Sequence, residues 1–138
     1  YTNKPIRLGR SIEWLNWRLV KHPNNDYYAL KLYDNLELSG VIIYKKYLDS
    51  IDIIELFYSK DCDKYELLNV GFNHLLTKGV FHLNCWGNLH AEEYSIMEKM
   101  RFKERVFNTY FGVIPLIKKG NLVDVKNWHF NFIDSDVF

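Results

Sequence analysis

Between Tyr27 and Tyr58 the chain carries three consecutive strand-type runs, and from Tyr65 its hydrophobic period changes from two to that of a helix. No other feature constrains the fold as much. Tyr27–Tyr33 is aromatic-rich and alternating, Leu38–Leu48 contains Val41-Ile42-Ile43-Tyr44, and Ile51–Tyr58 is the most apolar of the three. Asp34-Asn35 reads as the turn of a hairpin joining the first two. Past the polar connector Ser59–Lys64, the residues Leu67, Leu68, Gly71, Phe72, Leu75 and Leu76 line one helical face, and Gly79 closes the helix. Val80–Trp86 reads as a fourth strand. Asn88–Met100 reads as a helix with Leu89, Ile96, Met97 and Met100 on its apolar side. Phe102–Ile117 is then a long strand and Trp128–Ile133 the last one. Ahead of the first strand, Ser11 is a candidate N-cap for a helix continued by Ile12, Leu15 and Leu19, which stops at His22 because Pro23 follows.

This order predicts one domain over residues 1–138, of α/β (α+β) class, with a mixed, mostly antiparallel sheet flanked by helices. Three successive strands suggest a meander. The strand–helix–strand unit Ile51–Trp86 suggests a parallel pair with a right-handed crossover, both strands lying inside the sheet. With 48% hydrophobic and 25% charged residues the chain is not disordered. Its net charge of +1 argues against binding nucleic acid through bulk charge and against a polybasic membrane anchor. The expected partners therefore include neither nucleic acid nor membrane. Cys62 and Cys85 form no CxxC pair and read as reduced thiols of a cytoplasmic protein. The five histidines show no metal-ligand spacing, so no metal is expected.

Several residues have chemistry that packing does not require. Glu55 is a carboxylate in an otherwise apolar strand, where strict alternation puts it on one face with Ile51, Ile53 and Phe57. It reads either as a general base whose pKa burial would raise, or as a structural carboxylate paired with Lys or Arg. His82 and Asn84 alternate on one face of the fourth strand. Asp134-Ser135-Asp136 is either a solvated tail or an acidic site for a cationic amine. Trp14, Trp17 and Trp86 read as core or groove walls.

The order of elements resembles the GNAT superfamily of acyl-CoA-dependent N-acetyltransferases over roughly residues 11–117. The helix running from Leu67-Leu68 to Gly79-Val80 has the spacing of that family's third helix. Asn88-Leu89-His90-Ala91 is similar to the Asn-x-x-Ala start of its fourth helix, and Met97-Glu98-Lys99-Met100-Arg101-Phe102 to the Tyr-Glu-Lys-Leu-Gly-Phe that ends it. The residues Trp14-Leu15-Asn16-Trp17-Arg18 and the ending Trp128–Phe138 resemble a subgroup linked to bacterial cell-surface polysaccharide enzymes. The family's first strand and first helix have no counterpart before Ser11, which suggests a fragment with a missing N-terminal domain; a homodimer is the other partner expected.

The resemblance implies transfer of acetyl from acetyl-CoA, as cosubstrate, to a small-molecule primary amine such as an amino sugar. It implies Glu55 as base, Tyr94 as acid in place of the family's Tyr (here Met97), and a pantetheine held on the backbone at Leu56 and Tyr58. Asn88 joins the cofactor site, while His82, Asp134 and Asp136 meet the acceptor. The pyrophosphate loop departs from the pattern: its three glycine positions fall on Lys60, Cys62 and Lys64, so Lys60 and Lys64 are left to bind phosphate as point charges. That departure supports the rival expectation, a non-catalytic GNAT-fold binding or structural module of a larger protein.

Overall fold

The computed structural model describes residues 7–23, 26–105 and 124–135. The chain divides into two compact units. One is built from Gly9–Trp86 with the segment that starts at Asn131; the other contains Gly87–Phe130.

The first unit opens with α1 (Ile12–Leu15), which runs into a π-helical turn, Asn16–Val20. Ser11 caps α1 as the sequence predicts: its Oγ accepts from Trp14 N at 3.1 Å. Four strands follow in the spatial order β1 (Tyr27–Asp34), β2 (Glu37–Lys46), β3 (Ser50–Tyr58) and β4 (His82–Cys85). The pairs β1–β2 and β2–β3 are antiparallel, whereas β3–β4 is parallel and joined through α2 (Lys64–Leu76). The class is therefore mixed α/β, with the expected meander and the expected parallel pair. β3 is interior, but among the described residues β4 has β3 as its one strand neighbour.

α2 lies on one face of the sheet. A Cβ on Gly71 would stand 2.6 Å from Ile42 Cδ1 and 3.1 Å from Leu32 Cδ1, so the missing side chain sets how closely helix and sheet approach. Ile42, Leu68, Phe72 and Leu75 are buried on this side. On the other face, Ile54, Phe132 and Ile133 form a buried cluster against Trp14, Leu15, Leu19, Tyr27, Ile43 and Trp86. Trp86 and Phe132 meet with ring centroids 5.0 Å apart. Trp14 and Trp86 are thus core walls, whereas Trp17 is 60% exposed.

Two sequence expectations fail for identifiable reasons. The register pairs Glu55 with Ile43 and Ile53 with Tyr44, leaving Ile54 as an extra, bulged residue. Ile43 and Tyr44 are adjacent and point to opposite faces, so Glu55 and Ile53 do too. Glu55 therefore leaves the face assigned to it by strict alternation and joins Ile43 and Ile54 on the side away from α2. The expected last strand, Trp128–Ile133, instead contains part of a 3-10 turn, Phe132–Asp134, preceded by another at Val125–Asn127. Asn131 and Asp134 cap the former reciprocally, and this local bonding outcompetes an extended ladder.

In the second unit, α3 (Glu92–Lys99) starts four residues later than the apolar pattern suggests. Asn88 does not cap it, because its side chain holds the Phe130 backbone at both ends, donating to O at 2.9 Å and accepting from N at 3.2 Å. Of the strand expected at Phe102–Ile117, Phe102–Arg105 lie in no strand and residues 106–117 are outside the described residues.

Candidate functional site

The densest polar arrangement in the first unit surrounds Glu55, which is 4% exposed. The bulge at Ile54 aims it toward the segments that flank the sheet in sequence. Its Oε2 takes Arg10 Nε at 2.6 Å. Its Oε1 accepts from the Leu56 amide at 3.1 Å and from the Asn131 side-chain amide. Arg10 bridges onward, with Nη2 donating to Asp134 Oδ2 at 2.8 Å and Nη1 in ion contact with Oδ1 at 2.8 Å, outside hydrogen-bond alignment. Asp134 Oδ2 also accepts from Asn131 N at 2.9 Å. The guanidinium carbon of Arg10 lies 5.0 Å from the centroid of the Trp14 ring.

The charges are strongly coupled. Burial disfavours the Arg10 cation, but the hydrogen bond to Asp134 and the charge of Glu55 outweigh it and raise its pKa above the ordinary value. A second buried cation, Arg18, extends the arrangement: its Nε donates to Ile133 O at 3.3 Å and its Nη2 to Ser135 O. Two arginines therefore hold the 131–135 segment against β3, and Phe132 and Ile133 fill the apolar core between them and Ile54.

The remaining residues expected in a site are dispersed. Leu56 contributes its amide to Glu55, while Tyr58 lies under Lys64, whose Nζ is 4.8 Å from the ring centroid. Lys60 is exposed. The N-terminus of α2 is capped from within: Asp63 accepts from Glu66 N at 3.0 Å through its side chain and from Leu67 N at 2.9 Å through its carbonyl. An incoming phosphate would compete with that carboxylate. His82 is exposed at the start of β4, beside Ser50 in register. Asn84 donates to Asp52 Oδ1 at 2.9 Å. Asp52 is nearly buried, and burial raises its pKa despite Asn84 and Lys45.

Tyr94 and Asn88 belong to the second unit. The Tyr94 hydroxyl donates to Glu104, which raises its pKa to about 12, and Asn88 is engaged by Phe130. Asp136 lies outside the described residues. Among the described residues, no group of three or more His, Cys, Asp or Glu is arranged to hold a metal, and no helix is long and apolar enough to cross a membrane.

The sequence reading missed Arg10, Arg18 and Asn131. Arg10 and Asp134 are 124 positions apart, which no local pattern can show. The spacing of Asn131 and Asp134, however, is a readable capping signal. No family model and no curated protein matches this chain.

Proposed function

We propose that this chain is a non-catalytic, GNAT-like binding or structural module in which Glu55 is the hub of a buried ion-pair network. The observation that carries this reading is the saturation of Glu55, whose two oxygens already take Arg10, Asn131 and the Leu56 amide. A general base must reach its substrate's proton directly or through one water. Here that would require breaking a buried Arg–carboxylate contact, which is costly. The Asp63 cap on α2 supports the same reading, because it occupies amides that a pyrophosphate would use. The order of the sheet, with a meander feeding a parallel β3–α2–β4 unit, supports GNAT-like architecture.

One observation favours a second reading, an N-acyltransferase moving acetyl from acetyl-CoA to a primary amine. The β3–β4 ladder stops at Ile53↔Cys85 while β3 continues to Tyr58, so the later residues of β3 have no ladder partner in β4. Pantetheine would hydrogen-bond there, and transfer would rest on proximity of the two substrates without Glu55 as base.

Calorimetric titration with acetyl-CoA, with an assay of CoA release in the presence of primary amines, separates the two readings. The module gives no saturable heat at millimolar ligand and no amine-dependent release. Saturable heat that is lost in Lys64→Glu, together with amine-dependent release, would overturn it in favour of the acyltransferase.

A further inference from the structure

At the end of the sheet where β3 and β4 begin, two connections are tied together. Phe81 N donates to Asp49 O at 2.8 Å, and Lys46 Nζ donates to Lys78 O at 2.9 Å. Tyr47 N closes the β2–β3 turn onto Ser50 O at 2.8 Å. The turn tips are strongly apolar. Leu48 is 98% exposed and Phe81 81% exposed, with Tyr47 beside Leu48 in sequence. Lys45 and Lys46 end β2 just before Tyr47, Lys78 stands three residues before Phe81, and the Lys45 Nζ lies 5.2 Å from the Tyr47 ring centroid. Within residues 45–50 and 77–82 the charges are these three lysines against Asp49, and Lys45 also pairs in register with Asp52 across the β2–β3 ladder.

We infer that this corner docks on an anionic lipid surface, with Leu48 and Phe81 entering the interface and the three lysines meeting acidic headgroups. Exposed apolar side chains rimmed by cations match such a surface in both hydrophobicity and sign of charge. Lysine stems lie along apolar material while their ammonium groups stay at headgroup level, and tyrosine suits the same boundary. Two knobs on turn tips bury little area against a rigid partner without matching pits, whereas a fluid interface accommodates them without complementary shape. The backbone bond between the turns, Phe81 N to Asp49 O, holds both knobs near each other before docking, so little order is lost on binding. The near-neutral charge of the whole chain does not oppose this, because screening makes only charges within about 10 Å of the surface count. This corner lies at the start of β3, five residues before Glu55, and is independent of the role proposed for that residue.

The test is co-sedimentation of the full chain with large unilamellar vesicles of pure phosphatidylcholine or with about 30% phosphatidylserine. The protein should partition onto the anionic vesicles and weaken with added salt. Leu48→Ser/Phe81→Ser should reduce partitioning roughly tenfold or more. Lys46→Glu/Lys78→Glu should lower it on anionic vesicles to about the level seen on neutral ones. All four positions are exposed, and far-UV circular dichroism checks that the variants fold. No sedimentation at millimolar lipid overturns the proposal, as does binding unchanged by either pair. Binding that needs the lysines but not Leu48 and Phe81 also overturns it, reducing the corner to headgroup adsorption. If vesicles do not bind and Leu48→Ser/Phe81→Ser instead converts a dimer to a monomer in sedimentation equilibrium, the corner is a contact between copies.

Discussion

Replacing Glu55 with Gln keeps the side chain's shape and removes its charge. The Arg10 Nε contact at 2.6 Å loses its carboxylate, and one of the two oxygens that accept from Arg10, Asn131 and the Leu56 amide becomes a donor facing donors. Losing a hydrogen bond to a charged group costs about 1.5–3 kcal/mol. The full cost of a broken buried pair, about 3–5 kcal/mol, does not apply because Arg10 keeps Asp134. We expect a loss of about 2 kcal/mol. With an unfolding entropy of ~2.1 cal/mol/K per residue, the 138-residue chain should show a fall in Tm of roughly 7 °C. Arg10→Met removes the cation shared by the Glu55 and Asp134 carboxylates, which keep only their amide partners, and should cost more, about 3–5 kcal/mol. Urea and thermal unfolding read both values, and CoA release per folded molecule is measured in parallel. The reasoning is refuted if Glu55→Gln unfolds like the parent protein. It is equally refuted if stability is unchanged while amine-dependent CoA release disappears, which would make Glu55 a base after all.

Leu36 holds φ +73 in the two-residue β1–β2 turn and is 96% exposed, so Leu36→Gly should raise the urea midpoint, by about 0.5–1 kcal/mol in stability, and a lowered midpoint would contradict the strain argument. Asp52 has a raised folded pKa, so its contribution to stability is fully present below its unfolded pKa and is lost as pH rises through the folded value. Asp52→Asn should remove that part of the decline, which unfolding of both proteins between about pH 3 and pH 7 would show as a flatter profile for the variant. Both cysteines are partly exposed, but burial pushes the Cys85 thiol up to about 12, so in the native protein a chromogenic disulfide should label Cys62 well before Cys85, a difference that unfolding removes. Rapid native labelling of both would contradict that burial.

Local periodicity determined much of the secondary structure. The alternating runs became β1, β2 and β3, and the change of period at Tyr65 became α2, which ends at Leu76 with Thr77 as its cap, three residues before Gly79 turns at φ +76. These features depend on neighbours a few residues apart, and sequence spacing reports such neighbours directly. The site was not local. One extra residue at Ile54 moved Glu55 to the other face of β3, and strict alternation cannot register an insertion that exists only relative to the partner strand. The Glu55 network closes over separations of 45 residues to Arg10 and 76 to Asn131, distances at which only the folded chain decides which charges meet. The ending read as a strand became a 3-10 turn because Asn131 and Asp134 bonded to each other's backbone while Phe132 and Ile133 found an apolar cluster beneath. Net charge likewise averaged over the chain what two tied turns bring together at one corner. Sequence fixes the period of a segment, but which face it buries and which distant charges it meets are properties of packing alone.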